Sequence, residues 1–186
     1  MTRLARTLAA IDAANAADPD RSEGAPAALL YGERMTAELE LLVPEASEDV
    51  RIAARGQHIE RWTSRRSDYP EGREGYLAWR RDLGAFHARR VGEIMAAEGY
   101  GPESVERVGR MIRKEGIKRD PEVQALEDVI CFTFLRWYFQ PFAEGRDAEA
   151  LERIVAKTAR KMSAGARARA LQDFDLPEPF AAAFRD

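Results

Sequence analysis

Two histidines and one acidic pair are the residues of this chain best suited to chemistry. His58 and His87 are its only histidines, and both lie among apolar residues that recur with a helical period. Glu127 and Asp128 stand at the head of the apolar stretch LEDVICFTFL, where an unpaired carboxylate would be strongly destabilising. We therefore predict that these four side chains point inward from three different helices.

Two imidazoles and a carboxylate together form a ligand set that suits a divalent metal such as Zn, Mn, Fe or Ni. The predicted metal ligands are His58, His87 and Asp128, and the predicted catalytic carboxylates are Glu127 and Asp128. Such an ion would lower the pKa of a bound water and hold a phosphoryl group in place. The alternative is structural, with both histidines satisfied in the core and the acid pair in a salt bridge with arginines of the third helix.

Basic residues that could hold phosphate are found in several places. An arginine-aromatic segment covers residues 55–80, where guanidinium groups suit bidentate phosphate binding and aromatic rings could stack on a base. Two lysines four positions apart on a later helix could present their ammonium groups to one anion. The candidate phosphate-binding residues are Arg55, Arg61, Arg65, Lys114, Lys157 and Lys161. In the competing interpretation, the aromatic residues are core anchors and the basic side chains are simply solvated.

Composition limits the classes of function. The 186 residues carry a net charge of −3, so the chain is not basic enough overall for a general nucleic-acid binder, although residues 51–90 hold ten arginines. A single cysteine, Cys131, excludes an intramolecular disulfide and indicates a reducing, cytoplasmic location. No apolar run approaches the roughly 20 residues that span a bilayer, and we expect no membrane partner.

Helical periodicity dominates the chain, and no run alternates as a strand would. The third helix is predicted to carry residues 50–62 with His58, and the fourth to run from about 75 to 98 with His87 on its apolar stripe. Asp120-Pro121-Glu122 is the strongest start signal, and the helix that it opens is predicted to reach about residue 140. We predict an all-α fold of seven or eight helices in a single compact domain. It would cover residues 1–186, with the core at about 27–173 and a C-terminal tail at about 174–186.

The order His58, His87 and Asp128 on helices resembles that of the HD-domain metal-dependent phosphohydrolases, over about residues 47–140. The resemblance implies an HD-domain-like fold and a metal held by a histidine, a His-Asp doublet and a later aspartate. His58 and His87 match the two histidines, and Asp128 matches the later aspartate. Ala88 stands where the doublet has its acid, and Glu127 is the residue that could replace that acid.

Five longer blocks resemble an uncharacterised family called domain of unknown function 4202. That resemblance covers nearly the whole chain and implies no established activity. The blocks are LLYGERMTAELE, ARGQHIERW, YPEGREGYLAWRRDLGAFHA, LEDVICFTFL and KTARKMS.

Two functions from different classes follow from these patterns. The leading hypothesis is an HD-like metal-dependent phosphohydrolase, or a degenerate relative of one, acting on a phosphomonoester or a nucleotide. The alternative is a non-catalytic all-α binding module whose arginine-aromatic segment engages RNA, a nucleotide or an acidic partner. We expect a phosphate-bearing small molecule as the ligand, and the second function also admits nucleic acid.

Overall fold

A computed structural model describes residues 1–185 of the chain. All regular structure in that range is helical, which confirms the all-α class, and its ten α-helices exceed the predicted seven or eight. None of these helices combines the length and the apolar character that crossing a bilayer requires. The helices are α1 Arg3–Asn15, α2 Ala27–Leu42, α3 Glu48–Gly56, α4 Gly72–Ala97, α5 Pro102–Ile112, α6 Pro121–Thr133, α7 Phe139–Ala143, α8 Ala148–Lys161, α9 Ala164–Asp173 and α10 Phe180–Arg185.

The helices group into two compact units, although the sequence predicts one domain. The first unit is Met1–Glu115 and contains α1 to α5, and the second contains the helices from Gly116 onward. In the first unit α3 lies at the centre, since it packs against α1, α2, α4 and α5. Its residues Ile52, Ala53 and Ala54 are fully buried. Two consecutive alanines let the neighbouring helices approach α3 closely.

The end of α3 differs from the prediction. The helix stops at Gly56, so His58 lies in the turn that follows rather than on a helix running to residue 62. Glu60 has a left-handed backbone with φ of 49°. Its amide donates to Oδ1 of the buried Asn15 at 3.0 Å, and its carboxylate pairs with Arg90 at 2.9 Å. These contacts hold Glu60 in a conformation that no α-helix continues through.

The long helix α4 carries the predicted apolar stripe. Leu83, His87, Val91 and Ile94 are all buried along it. Because α5 packs against α4, and both contact α3, this stripe closes the core of the first unit.

In the second unit, α6 begins where its signal predicts. The side chain of Asp120 accepts hydrogen bonds from the amides of Glu122 and Val123, and Pro121 follows at the first helical position. The helix does not continue regularly to residue 140, because the chain widens into a π-helical turn at Phe134–Tyr138. The ring of a proline in a helix clashes with the carbonyl four residues earlier, and Pro141 follows closely enough to favour this widening.

The predicted tail at 174–186 contains a further helix. In α10, Ala181 and Phe184 are buried, and the helix packs against α8 and α9. Together with the interruption after α6, this helix raises the count above the prediction.

We expect the contact between α3 and α4 to tolerate no added methyl group at Gly56. A Cβ there would lie 2.4 Å from Cγ2 of Val91, whose branched side chain is fully buried. Gly56→Ala should therefore destabilise the protein by about 1–3 kcal/mol, measured by chemical denaturation. The control is Gly84→Ala in α4, where the nearest outside atom is 3.8 Å away and the higher helix propensity should give a gain of up to about 1 kcal/mol. Similar effects at both positions would contradict the packing described.

Candidate functional site

A pocket of about 320 Å³ lies in the first unit, between the turn after α3, the middle of α4 and the end of α5. The turn contributes His58 and Arg61, α4 contributes Arg80 and His87, and the end of α5 contributes Lys114. The pocket therefore brings together both histidines of the chain and several cationic side chains.

His87 lines this pocket and carries a lone pair without a hydrogen-bond partner among residues 1–185. Its side chain is only 3% exposed, and Nδ1 donates to the carbonyl oxygen of Ile59 at 2.7 Å. A carbonyl only accepts, so the proton of the neutral ring is on Nδ1 and the lone pair is on Nε2. Nε2 is buried and has no hydrogen-bond partner among residues 1–185. Burial, with a further contribution from the charges of Arg61 and Arg80, lowers the pKa of His87 to about 4, so the ring is neutral at pH 7.

His58 is held beside His87. Its ring stacks on Tyr31 with centroids 4.0 Å apart, and its centroid lies 5.9 Å from that of His87. Burial first, and then the charge of Arg61, lower the pKa of His58 well below its ordinary value. Both imidazoles are therefore neutral acceptors or donors at pH 7 and add no charge to the pocket.

Two arginines of the pocket carry charges that no carboxylate neutralises. Across the described chain, Arg61 and Arg80 have no carboxylate oxygen within 4 Å. The Arg61 guanidinium lies 5.0 Å from the centre of the Trp79 ring, and burial together with the charge of Arg80 lowers its pKa. By contrast, Arg113 on the same pocket pairs with Glu115 at 2.8 Å. The pocket thus keeps an excess of positive charge.

Lys114, which lines the pocket, has an unusual backbone conformation. It follows α5 with φ of 62°, a left-handed conformation that favours glycine. The amide of Lys114 donates to the carbonyl of Met111, and that of Glu115 to the carbonyl of Arg110. A lysine at this position gives up stability that glycine would recover, and it places an ammonium group at the pocket.

Gln57 also lines the pocket, and sequence reasoning missed it. Its side chain is 4% exposed, and its amide oxygen Oε1 is buried without a partner among residues 1–185. Arg80 belongs to the predicted arginine-aromatic segment but is not among the six phosphate-binding candidates, although it precedes His87 by seven positions on one helix. Two helical turns bring such residues to one face, so this spacing was the signal that could have found Arg80.

The predicted catalytic carboxylates lie in the second unit and make internal contacts there. Asp128 accepts hydrogen bonds from the amide and hydroxyl of Ser163, at 2.8 and 2.6 Å, and from the amide nitrogen of Gln124 at 2.9 Å. Because Ser163 caps α9, Asp128 supports the start of that helix. Glu127 is 2% exposed and lies 3.7 Å from Nζ of Lys161. The salt-bridge interpretation therefore gains support for Glu127, with a lysine as its partner.

Three other predicted phosphate-binding residues make no contact that points to a ligand. Arg55 is held between α1 and α3 by two hydrogen bonds to Asp12, at 2.5 and 2.8 Å. Arg65 and Lys157 are exposed on the surface of their respective units. Of the six candidates, Arg61 and Lys114 line the pocket.

Much of the arginine-aromatic segment folds onto itself. Arg66 donates to the backbone carbonyls of Tyr69 and Gly72, and the Tyr69 hydroxyl donates to Asp82. Trp79 is 9% exposed, as expected of a core anchor. The segment therefore builds one wall of the first unit and leaves few side chains free to read a base.

The described residues do not fit the metal site that the HD-domain resemblance implies. Within residues 1–185, no three His, Cys, Asp or Glu side chains are grouped so as to hold a metal ion. Ala88 is buried where the doublet would supply its acid, and both carboxylate oxygens of Asp128 already accept hydrogen bonds. Coordination of Zn, Mn, Fe or Ni by His58, His87 and Asp128 stays a prediction.

Comparison with known proteins identifies one family. The model of the family described as Domain of unknown function (DUF4202) matches residues 5–183. No curated protein and no solved structure matches the chain. The match spans both units and includes the residues of the pocket, whereas the HD-domain-like fold stays a prediction.

We expect His87 to make stability depend on pH between about 6.5 and 4. The pKa of a histidine in the unfolded chain is near 6.5 and that of His87 in the fold is about 4, so the unfolded state takes up the proton first as pH falls. The stability associated with the neutral ring is complete above pH 6.5 and is lost progressively toward pH 4, by up to about 3 kcal/mol.

His87→Asn tests this assignment because the asparagine amide can still donate where Nδ1 does, but cannot titrate. Its unfolding free energy, measured from pH 7 to pH 4, should fall less steeply than that of the wild type. Parallel curves for the two proteins would contradict the assignment.

Proposed function

The chain belongs to the family described as Domain of unknown function (DUF4202), and we propose that its first unit binds a small phosphorylated molecule in the pocket between α3, α4 and α5. The observation that supports this most is the pair Arg61 and Arg80, which line the pocket without a carboxylate within 4 Å in the described chain. A third cation, Lys114, is held beside them by a strained backbone. A phosphate group would supply the missing negative charge.

The electrostatics favour a phosphate over a singly charged anion. Guanidinium groups match phosphate oxygens in bidentate geometry, and such charge-assisted hydrogen bonds are about twice as strong as neutral ones. Burial and then the charge of Arg80 lower the pKa of Arg61, and a dianion between the two side chains would relieve that repulsion. The volume of about 320 Å³ falls at the lower end of ligand pockets in proteins, which suits a small molecule.

Hydrolysis of a phosphomonoester is the second candidate function, and the free lone pair on Nε2 of His87 favours it. From that position the imidazole could accept a proton from a water whose oxygen bonds to phosphorus. The bond from phosphorus to the alkoxide oxygen then breaks, the alkoxide takes a proton from solvent, and the arginines hold the phosphoryl oxygens. A pKa of about 4 makes His87 a weak base at pH 7, so binding is the better supported function. Release of phosphate from phenyl phosphate, lost in His87→Asn, would establish the second candidate.

The RNA-binding alternative has less support. Arg55 and Arg66 are held within the fold by Asp12 and by backbone carbonyls, so these two arginines of the arginine-aromatic segment are not free to bind a nucleic-acid backbone. Arg61 and Arg80 of this segment line a pocket and not an open face, whereas Arg65 is exposed outside it.

We expect Arg80→Gln to weaken phosphate binding about tenfold, because one charge-assisted hydrogen bond to the ligand is lost. Binding of inorganic phosphate and phenyl phosphate would be measured by calorimetry at low ionic strength. The matched control is Arg65→Gln, which removes the same charge from an exposed residue outside the pocket and should change affinity less than twofold. Equal losses in the two variants, or a wild-type protein that binds neither compound, would overturn the proposal.

Lys114→Gly should change stability and binding in opposite directions. Glycine adopts the left-handed conformation at φ of 62° without strain, so the unfolding free energy should rise by about 1 kcal/mol. Affinity for phenyl phosphate should fall severalfold, because the ammonium group is gone. A variant that is both more stable and unimpaired in binding would remove Lys114 from the site.

A further inference from the structure

We propose that the pocket is specific for a sugar phosphate, whose hydroxyl groups donate hydrogen bonds to Gln57 and His87. This inference rests on the proposed binding of phosphate and adds the class of molecule that carries it. It is drawn from two buried acceptors of the pocket that no described residue satisfies.

The first acceptor is Nε2 of His87. The bond from Nδ1 to the Ile59 carbonyl leaves Nε2 without a proton, so this atom can only accept. It is buried within a side chain that is 3% exposed. We assign its partner to a donor group of a ligand that enters the pocket.

The second acceptor is Oε1 of Gln57, in a side chain that is 4% exposed. An unsatisfied buried acceptor costs about 1–3 kcal/mol, and folded proteins contain few of them. Both atoms belong to side chains that line one pocket, and a ligand with at least two donor groups would satisfy both. Gln57 comes from the turn after α3 and His87 from α4, so these donors would meet two different walls of the pocket.

Charge decides the kind of donor. An ammonium group would be repelled by Arg61, Arg80 and Lys114, which line the same pocket. Neutral hydroxyl groups are not repelled, and each can also accept from the amide nitrogen of Gln57. A molecule with a phosphate at one end and several hydroxyl groups at the other satisfies both the cations and the two acceptors, and a sugar phosphate has this composition.

Specificity should follow from the same two atoms. A site that hydrogen-bonds ligand hydroxyl groups discriminates strongly against an analogue that lacks them, because its own buried polar atoms are left unpaired. The matched probes are ribose 5-phosphate and tetrahydrofurfuryl phosphate, which keeps the ring and the phosphate but has no hydroxyl groups. We expect the wild-type protein to bind ribose 5-phosphate at least tenfold more tightly, measured by calorimetry.

Two variants assign this preference to residues. Gln57→Met keeps the length of the side chain, and His87→Asn keeps the bond to the Ile59 carbonyl, but each removes one acceptor. In both, the ratio of the two affinities should fall severalfold toward one. Gln172→Met, the same change at an exposed residue of α9, should keep the wild-type ratio. Thermal unfolding of each variant shows that it is folded.

The possible outcomes distinguish sugar specificity from phosphate binding itself. Equal affinities of the wild-type protein for the two phosphates would overturn the sugar specificity and leave phosphate binding standing. A preference for ribose 5-phosphate that survives in both variants would overturn the roles of Gln57 and His87. No binding of either compound, or of inorganic phosphate, would overturn phosphate binding itself. The wild-type comparison needs no variant, so it decides even where a substituted protein does not fold.

Discussion

The ion pair between Glu60 and Arg90 controls the geometry on which the pocket depends. Together with the bond from the Glu60 amide to Asn15, it ends the helical path of α3 and turns the chain back across α4. Residues 57–61 are thereby placed along one wall, with Gln57, His58 and Arg61 facing the pocket. The same turn positions the Ile59 carbonyl that orients His87, so the contacts of Glu60 bear on both the shape of the site and the position of the proton on His87.

Once that turn is formed, the pocket combines charged side chains with neutral imidazole rings. Its cationic side chains favour an anion, and the same charges help to keep both imidazoles neutral. Neutral imidazole rings do not repel the arginines and the lysine of the pocket, but they add no electrostatic attraction to phosphate. They instead provide hydrogen-bonding groups of fixed direction, so charge and directional recognition come from different residues of one small pocket.

The sequence predicted the parts of this arrangement that follow from local patterns. The helical class, the buried stripe of α4 and the cap of α6 depend on neighbours a few positions apart, and these predictions are confirmed. The early end of α3 depends instead on Asn15 and Arg90, which are 45 and 30 positions from Glu60. Local periodicity carries no information about such contacts.

The acidic pair shows the same limit. Its burial was correctly expected from the apolar residues around it, but the partners of Asp128 and Glu127 could not be named. Ser163 lies 35 positions after Asp128. The sequence shows that this serine can cap a later helix, but not that it also donates a hydrogen bond to a carboxylate of an earlier one. A buried carboxylate in a sequence therefore indicates that a partner exists, and only the fold shows whether that partner belongs to the protein or to a ligand.

The backbone of Lys114 has a consequence for the history of the family. Glycine is the residue that a helix end of this shape favours, so drift under selection for stability alone would replace the lysine. Its persistence in a lineage would record a requirement for the ammonium group, and its loss to glycine would mark members that kept the fold and abandoned the ligand. The residue at position 114 would therefore distinguish family members that keep both the fold and the ligand site from members that keep only the fold.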